Sequence, residues 1–218
     1  MNILSGKWTM RVAALLTGLL VSAGALAQAA PRVAITTSAG VIVVELNPAK
    51  APVSVENFLN YVKKDQYKGT VFHRVIENFM IQGGGMDAAL KERPASAPAI
   101  INEANNGLKN ERGTIAMARL RGINTATTQF FINTVDNGFL DHVSVPPQGI
   151  TINRGGRPVT IAAEDADSVY GYAVFGKVVE GMDVVDRIRK VETRNAGPHQ
   201  GVPVTPIVIE KIAVVNSK

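Results

Sequence analysis

A closed antiparallel β-barrel accompanied by two α-helices is the fold class that the sequence predicts. Short runs rich in β-branched and aromatic residues recur along the chain, and turns rich in glycine and asparagine separate them. Only two stretches place their apolar residues at helical spacing. Many short strands with two isolated helices favour a single sheet that closes on itself, with the helices covering its ends.

The first predicted elements are two strands and a helix, because the spacing of the apolar residues changes along this part of the chain. Residues 32–47, RVAITTSAGVIVVELN, alternate apolar and polar positions and predict two strands joined by a turn at residues 38–40. Residues 51–64, APVSVENFLNYVKK, then switch to helical spacing, and Pro52 suits a helix start. A β-hairpin followed by a helix is therefore expected at the start of the domain.

The remaining elements are short strands and one more helix. Turns rich in glycine and asparagine separate the runs and mark their ends. We predict strands at residues 71–76, 79–82, 114–118, 129–134, 172–179 and 205–215, and a helix at residues 181–191, GMDVVDRIRKV.

Residues 143–171 do not fit this pattern of short strands and turns, because they are long for a loop in a compact domain. Within them, GITIN and RPVTI flank Arg154-Gly155-Gly156 and could pair as a small hairpin. We interpret the segment as an insertion. Whether it has a function or is only a surface elaboration stays open at this point.

The N-terminal residues 1–27 have the form of a cleaved export signal. Lys7 and Arg11 precede an apolar run of 15 residues, 12–26, and Ala25-Leu26-Ala27 resembles a signal peptidase site. The run is shorter than the roughly 20 residues of a membrane-spanning helix. An uncleaved anchor is the alternative. We expect a mature domain of residues 28–218 without stable membrane insertion.

Composition excludes several classes of function. The net charge of +5 falls to +3 without Lys7 and Arg11, and no dense basic run occurs, so nucleic acid is not an expected partner. The chain has no cysteine, which excludes disulfides and thiol catalysis and suits an oxidising compartment. The three histidines lack the spacing of metal ligands, and no phosphate-binding loop is present, so neither a metal nor a cofactor is expected.

The stretch FHRVIENFMIQGGG, residues 72–85, sets one arginine among large apolar side chains. Strand alternation would point Phe72, Arg74 and Ile76 to one side and His73 to the other. We interpret His73 as a half-buried residue with one hydrogen bond rather than as a catalytic acid or base. An unpaired buried charge is costly, so Arg74 must either pair with an acid or line an open groove.

This stretch resembles the signature of the cyclophilins, which are peptidyl-prolyl cis-trans isomerases. The similarity continues in order through GTIAMAR, QFFINT, FLDH and VFGKVVEGMDVVDRI, and covers about residues 33–215. It is greatest to the exported, periplasmic bacterial type. The resemblance implies an eight-stranded antiparallel barrel capped by two helices, with the active groove on one outer face.

The resemblance also implies the residues of the site. Arg74 matches the catalytic arginine, and Gln82 the partner that orients it. Phe139 stands where many members carry tryptophan, and Tyr172 stands where many carry a groove histidine. The substrate-binding positions that it implies are Phe79, Met80, Phe131 and Leu140 in the proline pocket, Ala118 and Arg119 along the peptide backbone, and Gln129, Phe139 and Tyr172 elsewhere in the groove.

The function that the resemblance implies is rotation of X-Pro bonds in unfolded or newly exported polypeptides. Such an enzyme would act in the periplasm as a monomer, without cofactor or metal. The alternative is a proline-peptide binding module or chaperone with little turnover. Because a pure binder would not need Arg74, the isomerase is the expected function.

Overall fold

A computed structural model describes residues 30–215 of the chain. The predicted signal peptide at residues 1–27 lies outside them. Within residues 30–215, no helix has the length and the apolar character that crossing a bilayer requires.

Twelve strands and two α-helices make up the described part of the chain. The strands are β1 Arg32–Thr37, β2 Gly40–Leu46, β3 Thr70–Ile76, β4 Met80–Gly83, β5 Thr114–Met117, β6 Phe130–Asn133, β7 Ile150–Arg154, β8 Arg157–Ile161, β9 Val174–Glu180, β10 Thr193–Ala196, β11 His199–Pro203 and β12 Val208–Val215. The helices are α1 Pro52–Lys63 and α2 Met182–Arg189.

Eight of these strands close into a barrel in the order β1-β12-β3-β4-β6-β5-β9-β2, and every neighbouring pair is antiparallel. Closure leaves no unpaired sheet edge, so the strands can be short. The prediction of an eight-stranded antiparallel barrel with two α-helices is confirmed.

The barrel interior forms one continuous apolar core. Phe58 of α1 lies among the rings of Tyr67, Phe130 and Phe175, with centroids 5.2–5.6 Å apart. Both helices contribute buried residues to this same cluster, including Ile188 from α2. The core therefore joins the barrel and both helices into one unit, which we call the interior cluster.

A distant carboxylate stabilises the start of α1. Pro52 occupies the first turn, as predicted, where its missing N–H costs nothing. Glu103 accepts hydrogen bonds from the backbone N–H groups of Val53 and Ser54 at 3.0 and 2.8 Å. A carboxylate at this end also complements the helix dipole. This contact fixes α1 against the loop that precedes β5.

Two small hairpins lie outside the barrel. The pairing of GITIN with RPVTI occurs as predicted, with β7 and β8 antiparallel and Ile152 opposite Val159. The sequence did not predict the hairpin of β10 and β11, which pairs Arg194 with Val202. Its residues, TRNAGPHQGVPV, are mostly polar or turn-forming, so they lack the alternation that indicates strands.

The predicted alternation along β3 is wrong at His73. The pairing of β3 with β4 shifts between Phe72 and Arg74, which leaves His73 as an extra residue in a β-bulge. Phe72 therefore faces the interior cluster together with Val75, and Arg74 does not share their face. The bulge turns the arginine to the outside of the barrel.

The bulge also buries His73 more deeply than expected. The residue is 5% exposed rather than half-buried, and Nδ1 makes no hydrogen bond within the described part of the chain. Burial lowers the pKa of His73 to about 4, with the Val71 backbone opposing this shift and the charges of His199 and Arg74 adding to it. His73 is therefore a neutral residue at pH 7.

Candidate active site

Arg74 and Gln82 lie opposite each other on the outer face of the barrel. They are direct partners in the pairing of β3 with β4, and Arg74 Nη1 donates to Gln82 Oε1 at 3.5 Å. Gln82 Nε2 in turn donates to Gln129 Oε1 at 2.9 Å. Since the second bond holds the Gln82 amide, its oxygen stays turned towards the arginine.

Arg74 is surrounded by apolar groups and has no acidic partner in the part of the chain that the structure describes. Its guanidinium carbon lies 5.7 Å from the centroid of the Phe79 ring, and Nη1 lies 4.0 Å from the Met80 sulfur. None of the ion pairs among residues 30–215 includes it. Of the two arrangements that the sequence left open, the structure has the arginine lining a groove.

The electrostatic setting leaves Arg74 charged. Burial lowers the pKa of its guanidinium, and Tyr172 acts in the opposite direction. An arginine remains protonated at neutral pH after any ordinary shift of this kind. The groove thus presents a partly dehydrated positive charge to whatever binds there.

The predicted proline pocket forms a second apolar cluster, separate from the interior cluster. Met80, Phe131 and Leu140 are buried in it, and Phe79 and Tyr172 pack against it while keeping part of their surface exposed. The rings of Phe131 and Tyr172 meet edge to face at 5.7 Å. We call this set, together with the buried Ala116 and Val174, the groove cluster. The structure therefore brings the four predicted pocket residues together.

Phe139 extends the groove cluster towards solvent. Its ring stacks on Phe79 at a centroid distance of 5.5 Å, and 59% of the residue is exposed. An exposed aromatic ring beside an apolar pocket is an available contact surface. Its position agrees with a role in binding, although the role itself stays a prediction.

Ala118 and Arg119 form the opposite rim of the groove. Ala118 packs against the groove cluster, and its N–H donates to the Gln129 carbonyl at 2.9 Å. Arg119 lies 4.7 Å from the centroid of the Tyr172 ring and donates from Nε to the Gly171 carbonyl at 3.0 Å. Arg119 is therefore held against Tyr172 rather than extended into solvent.

Two glycines that the sequence analysis did not assign to the site allow this geometry. A Cβ on Gly85 would collide with the Gln129 side chain, so the absence of one lets Gln129 reach Gln82. Gly171 has φ of +88°, and a Cβ there would lie 2.6 Å from the His142 backbone nitrogen. Close backbone approach is one reason for a glycine at a given position. Such contacts between distant residues leave no local signal in the sequence.

The site supports chemistry that needs no proton donor or acceptor. His73 is neutral and buried, and no group of three or more metal-ligating side chains occurs among residues 30–215. What the groove offers is a fixed cation, an amide that orients it, and an apolar surface. These features suit binding a neutral apolar group and stabilising charge or a lone pair beside it.

Comparisons with known proteins identify the family of the chain. A family model described as "Cyclophilin type peptidyl-prolyl cis-trans isomerase/CLD" matches residues 32–214. A peptidyl-prolyl cis-trans isomerase from Streptomyces antibioticus is 49% identical over 84% of this chain and 98% of its own. Another from Acinetobacter baylyi is 48% identical over 94% of this chain and 95% of its own.

Solved structures show the same fold at lower sequence identity. A cyclophilin type isomerase from Cryptosporidium parvum, determined in the presence of the dipeptide Ala-Pro, superposes with a TM-score of 0.63 at 23% identity. The match covers 85% of this chain and 99% of that one. The solved structures share the fold, and the family match together with the bacterial relatives shows that the chain belongs to the cyclophilin type peptidyl-prolyl cis-trans isomerases.

Proposed function

We propose that the groove isomerises X-Pro bonds in unfolded or newly exported polypeptides, and that Arg74 is its catalytic residue. The observation that carries the proposal is the setting of Arg74. It is a charged side chain without an acidic partner in the described chain, oriented by Gln82 beside an apolar pocket. An arginine that served only the fold would gain from an ion pair.

The reaction is slow because resonance gives the peptide C–N bond partial double-bond character. The barrier to rotation is about 18–20 kcal/mol. X-Pro bonds populate the cis form appreciably and interconvert in tens to hundreds of seconds without a catalyst. An isomerase has only to lower this barrier, and no bond is made or broken.

Arg74 would act on the twisted state of the bond. When resonance is lost, the proline nitrogen becomes pyramidal and gains a lone pair. A guanidinium N–H aimed at that lone pair binds the twisted state more strongly than either planar state, and such differential binding lowers the barrier. Gln82 is a positioning residue in this scheme, because it holds the planar guanidinium in one orientation.

The groove cluster would hold the proline ring while the preceding carbonyl turns. Phe79, Met80, Phe131 and Leu140 supply an apolar surface and exclude water from the amide. A 10⁵-fold acceleration requires about 7 kcal/mol. One charge-assisted hydrogen bond in a water-poor groove, together with fixed positioning, would have to supply a barrier change of this size.

The test is Arg74→Ala, with Arg187→Ala as the matched control. Arg187 is an exposed arginine of α2 that pairs with Asp183. We expect kcat/KM for a short X-Pro peptide, measured by exchange NMR, to fall at least 100-fold in Arg74→Ala and to stay unchanged in the control. Both variants should keep the wild-type melting temperature. A folded Arg74→Ala protein with wild-type turnover would contradict the assignment.

The same measurement distinguishes the isomerase from the alternative, a binding module with little turnover. A binding module would bind proline peptides in wild type and in Arg74→Ala with no acceleration in either. The geometry of Arg74 favours the enzyme, because peptide binding alone does not require a half-buried charge beside the pocket.

We also infer that the chain acts in the periplasm as a monomer. The charged start, the apolar run 12–26 and the site at Ala25-Leu26-Ala27 support export, and the absence of cysteine suits that compartment. N-terminal sequencing of the protein recovered from a periplasmic fraction should begin at Gln28. Light scattering should give the mass of one chain. A protein that keeps residues 1–27 at the membrane would support the anchor instead.

A further inference from the structure

The groove continues beyond the proline pocket into a compartment of about 700 Å³. One side of it consists of groove residues, and the other side consists of residues from segment 143–171, which we call the arm. A volume of this size accommodates several side chains. The groove side is lined by Arg119, Gly138, Phe139, Leu140 and Tyr172, and the arm side by Val143, Ile152, Asn153, Arg154, Gly155 and Ser168.

The arm is attached to the groove by hydrogen bonds at its base. The Val143 N–H donates to the Val169 carbonyl at 3.0 Å, and the Tyr172 N–H donates to the Leu140 carbonyl at 2.9 Å. His142 Nδ1 lies 2.9 Å from the Tyr170 carbonyl. Because Leu140 and Tyr172 belong to the groove cluster, the arm starts and ends at the edge of the proline pocket.

The hairpin of β7 and β8 turns one apolar face towards the protein. Ile152 and Val159 are cross-strand partners and are half-buried, whereas Thr151 and Thr160 on the other face are exposed and contact each other at 3.0 Å. Alternation along the strands accounts for this division. Of the apolar pair, Ile152 lines the compartment and Val159 does not.

The chemistry of the compartment suits an apolar side chain. Phe139, Leu140, Val143 and Ile152 provide apolar surface. No carboxylate of the described chain lines the compartment, and its two cations, Arg119 and Arg154, would repel a basic side chain. Glu164, Asp165 and Asp167 line a separate space on the far side of Arg119 and Tyr172. The carboxylates that would attract a basic side chain therefore lie outside this compartment.

We propose that the hairpin of β7 and β8 forms a second wall of the substrate groove, and that Ile152 selects a large apolar side chain next to the proline. The compartment shares Leu140 with the proline pocket, so a residue bound there is adjacent or nearly adjacent to the proline. Phe139 and Ile152 contact this side chain from opposite sides. The inference rests on the proposed substrate groove and adds a specificity-determining residue to it.

The test compares Ile152→Thr with Val159→Thr. Both changes replace a half-buried, β-branched apolar residue of the same hairpin face with a β-branched polar one, so they affect the strands alike. The substrates are two pairs of proline peptides. Within one pair, leucine replaces alanine before the proline, and within the other pair, leucine replaces alanine after it.

We expect wild type to prefer leucine in at least one pair. The leucine-to-alanine ratio of kcat/KM in that pair should fall about threefold to tenfold in Ile152→Thr, as for loss of an apolar contact in a partly open pocket. The ratio should be unchanged in Val159→Thr. Binding of the same peptides, measured by titration, should show the same ratios.

The binding titration separates this inference from the proposed activity. If the protein showed no turnover but an Ile152-dependent leucine preference in binding, the isomerase assignment would be contradicted. The proposed role of the hairpin as a second wall of the groove would still hold. Equal ratios in wild type and Ile152→Thr, or an equal fall in Val159→Thr, would overturn the inference while Arg74 kept its role.

Discussion

Along β4, β5 and β6, the interior cluster and the groove cluster lie on opposite faces of the same strands. Ile81, Ile115 and Phe130 point into the barrel, while their chain neighbours Met80, Ala116 and Phe131 point outward into the groove. The interior cluster is closed on all sides by strands and helices. The groove cluster ends in Phe79, Phe139 and Tyr172, which keep part of their surface in solvent.

From this difference we expect stability and substrate recognition to depend on alternate residues of one strand. A closed cluster gains its full transfer free energy on folding, whereas an open one retains apolar surface that a ligand can still cover. Adjacent residues of β6 should therefore respond very differently to the same substitution.

The largest expected effect on stability comes from Phe130→Ala. Phe130 is fully buried and meets Phe58, Tyr67 and Phe72 edge to face. Its truncation should lower the free energy of unfolding by about 3–5 kcal/mol, measured by urea denaturation. Phe131→Ala, its neighbour and matched control, should cost about 1–3 kcal/mol, because water can enter the space from the groove.

Activity should show the reverse order. Phe131→Ala removes a wall of the predicted proline pocket and should lower kcat/KM by more than about tenfold. Phe130→Ala should affect kcat/KM less at temperatures where it remains folded. If both variants lost stability and activity in the same proportion, the two clusters would not have separate roles in stability and activity.

The next effect concerns His73, which lies at the bulge between the two clusters. Its pKa is lowered to about 4, so at pH values between about 4 and 6.5 the unfolded chain binds the proton more readily than the folded one. The free energy of unfolding should therefore fall as pH falls from 6.5 to 4. The contribution of His73 to this fall is about 3 kcal/mol.

The control for this prediction is His73→Asn, which cannot titrate. Other groups lose stability in acid, including Asp186, whose pKa is lowered by its hydrogen bond to Arg112. The informative quantity is thus the difference in pH dependence between wild type and variant, measured by urea denaturation at each pH. Parallel curves would show that burial of His73 does not penalise its charged form.

The smallest expected effect on stability is that of removing most of the arm. Deleting residues 146–168 leaves Ser144 and Val145 between the hydrogen-bonded Val143 and Val169. With S144N and V145G, these two residues would suit a tight hairpin turn. The free energy of unfolding should change by less than about 1 kcal/mol, while the preference of kcat/KM among proline peptides should change. A large fall in melting temperature with unchanged preference would show that the arm is structural.

Local patterns were sufficient to predict the fold. Period changes located both helices and all eight barrel strands to within a few residues, and the hairpin of β7 and β8 was predicted from two short apolar runs around Arg154-Gly155-Gly156. The hairpin of β10 and β11 was missed because its residues are mostly polar. Its strands form because they pair with each other, and neither strand alternates apolar and polar residues in its sequence.

The site was predicted only through resemblance to a family, and the structure adds contacts that a sequence does not display. The bulge at His73 reverses the face on which Arg74 lies relative to Phe72, and strict alternation cannot anticipate an extra residue. The contact between Gln82 and Gln129 joins residues 47 positions apart. The catalytic and binding roles of these residues stay predictions until the variants are measured.

The closely spaced ends of the arm have a consequence for how such a protein changes over generations. Codons can be gained or lost between Val143 and Val169 without moving the barrel strands, because the two residues already touch. Arg74, which we propose as the catalytic residue, is encoded elsewhere, in the segment for β3. If the arm selects substrates as proposed, a descendant would acquire a new substrate preference in a single genetic event and keep Arg74 unaltered.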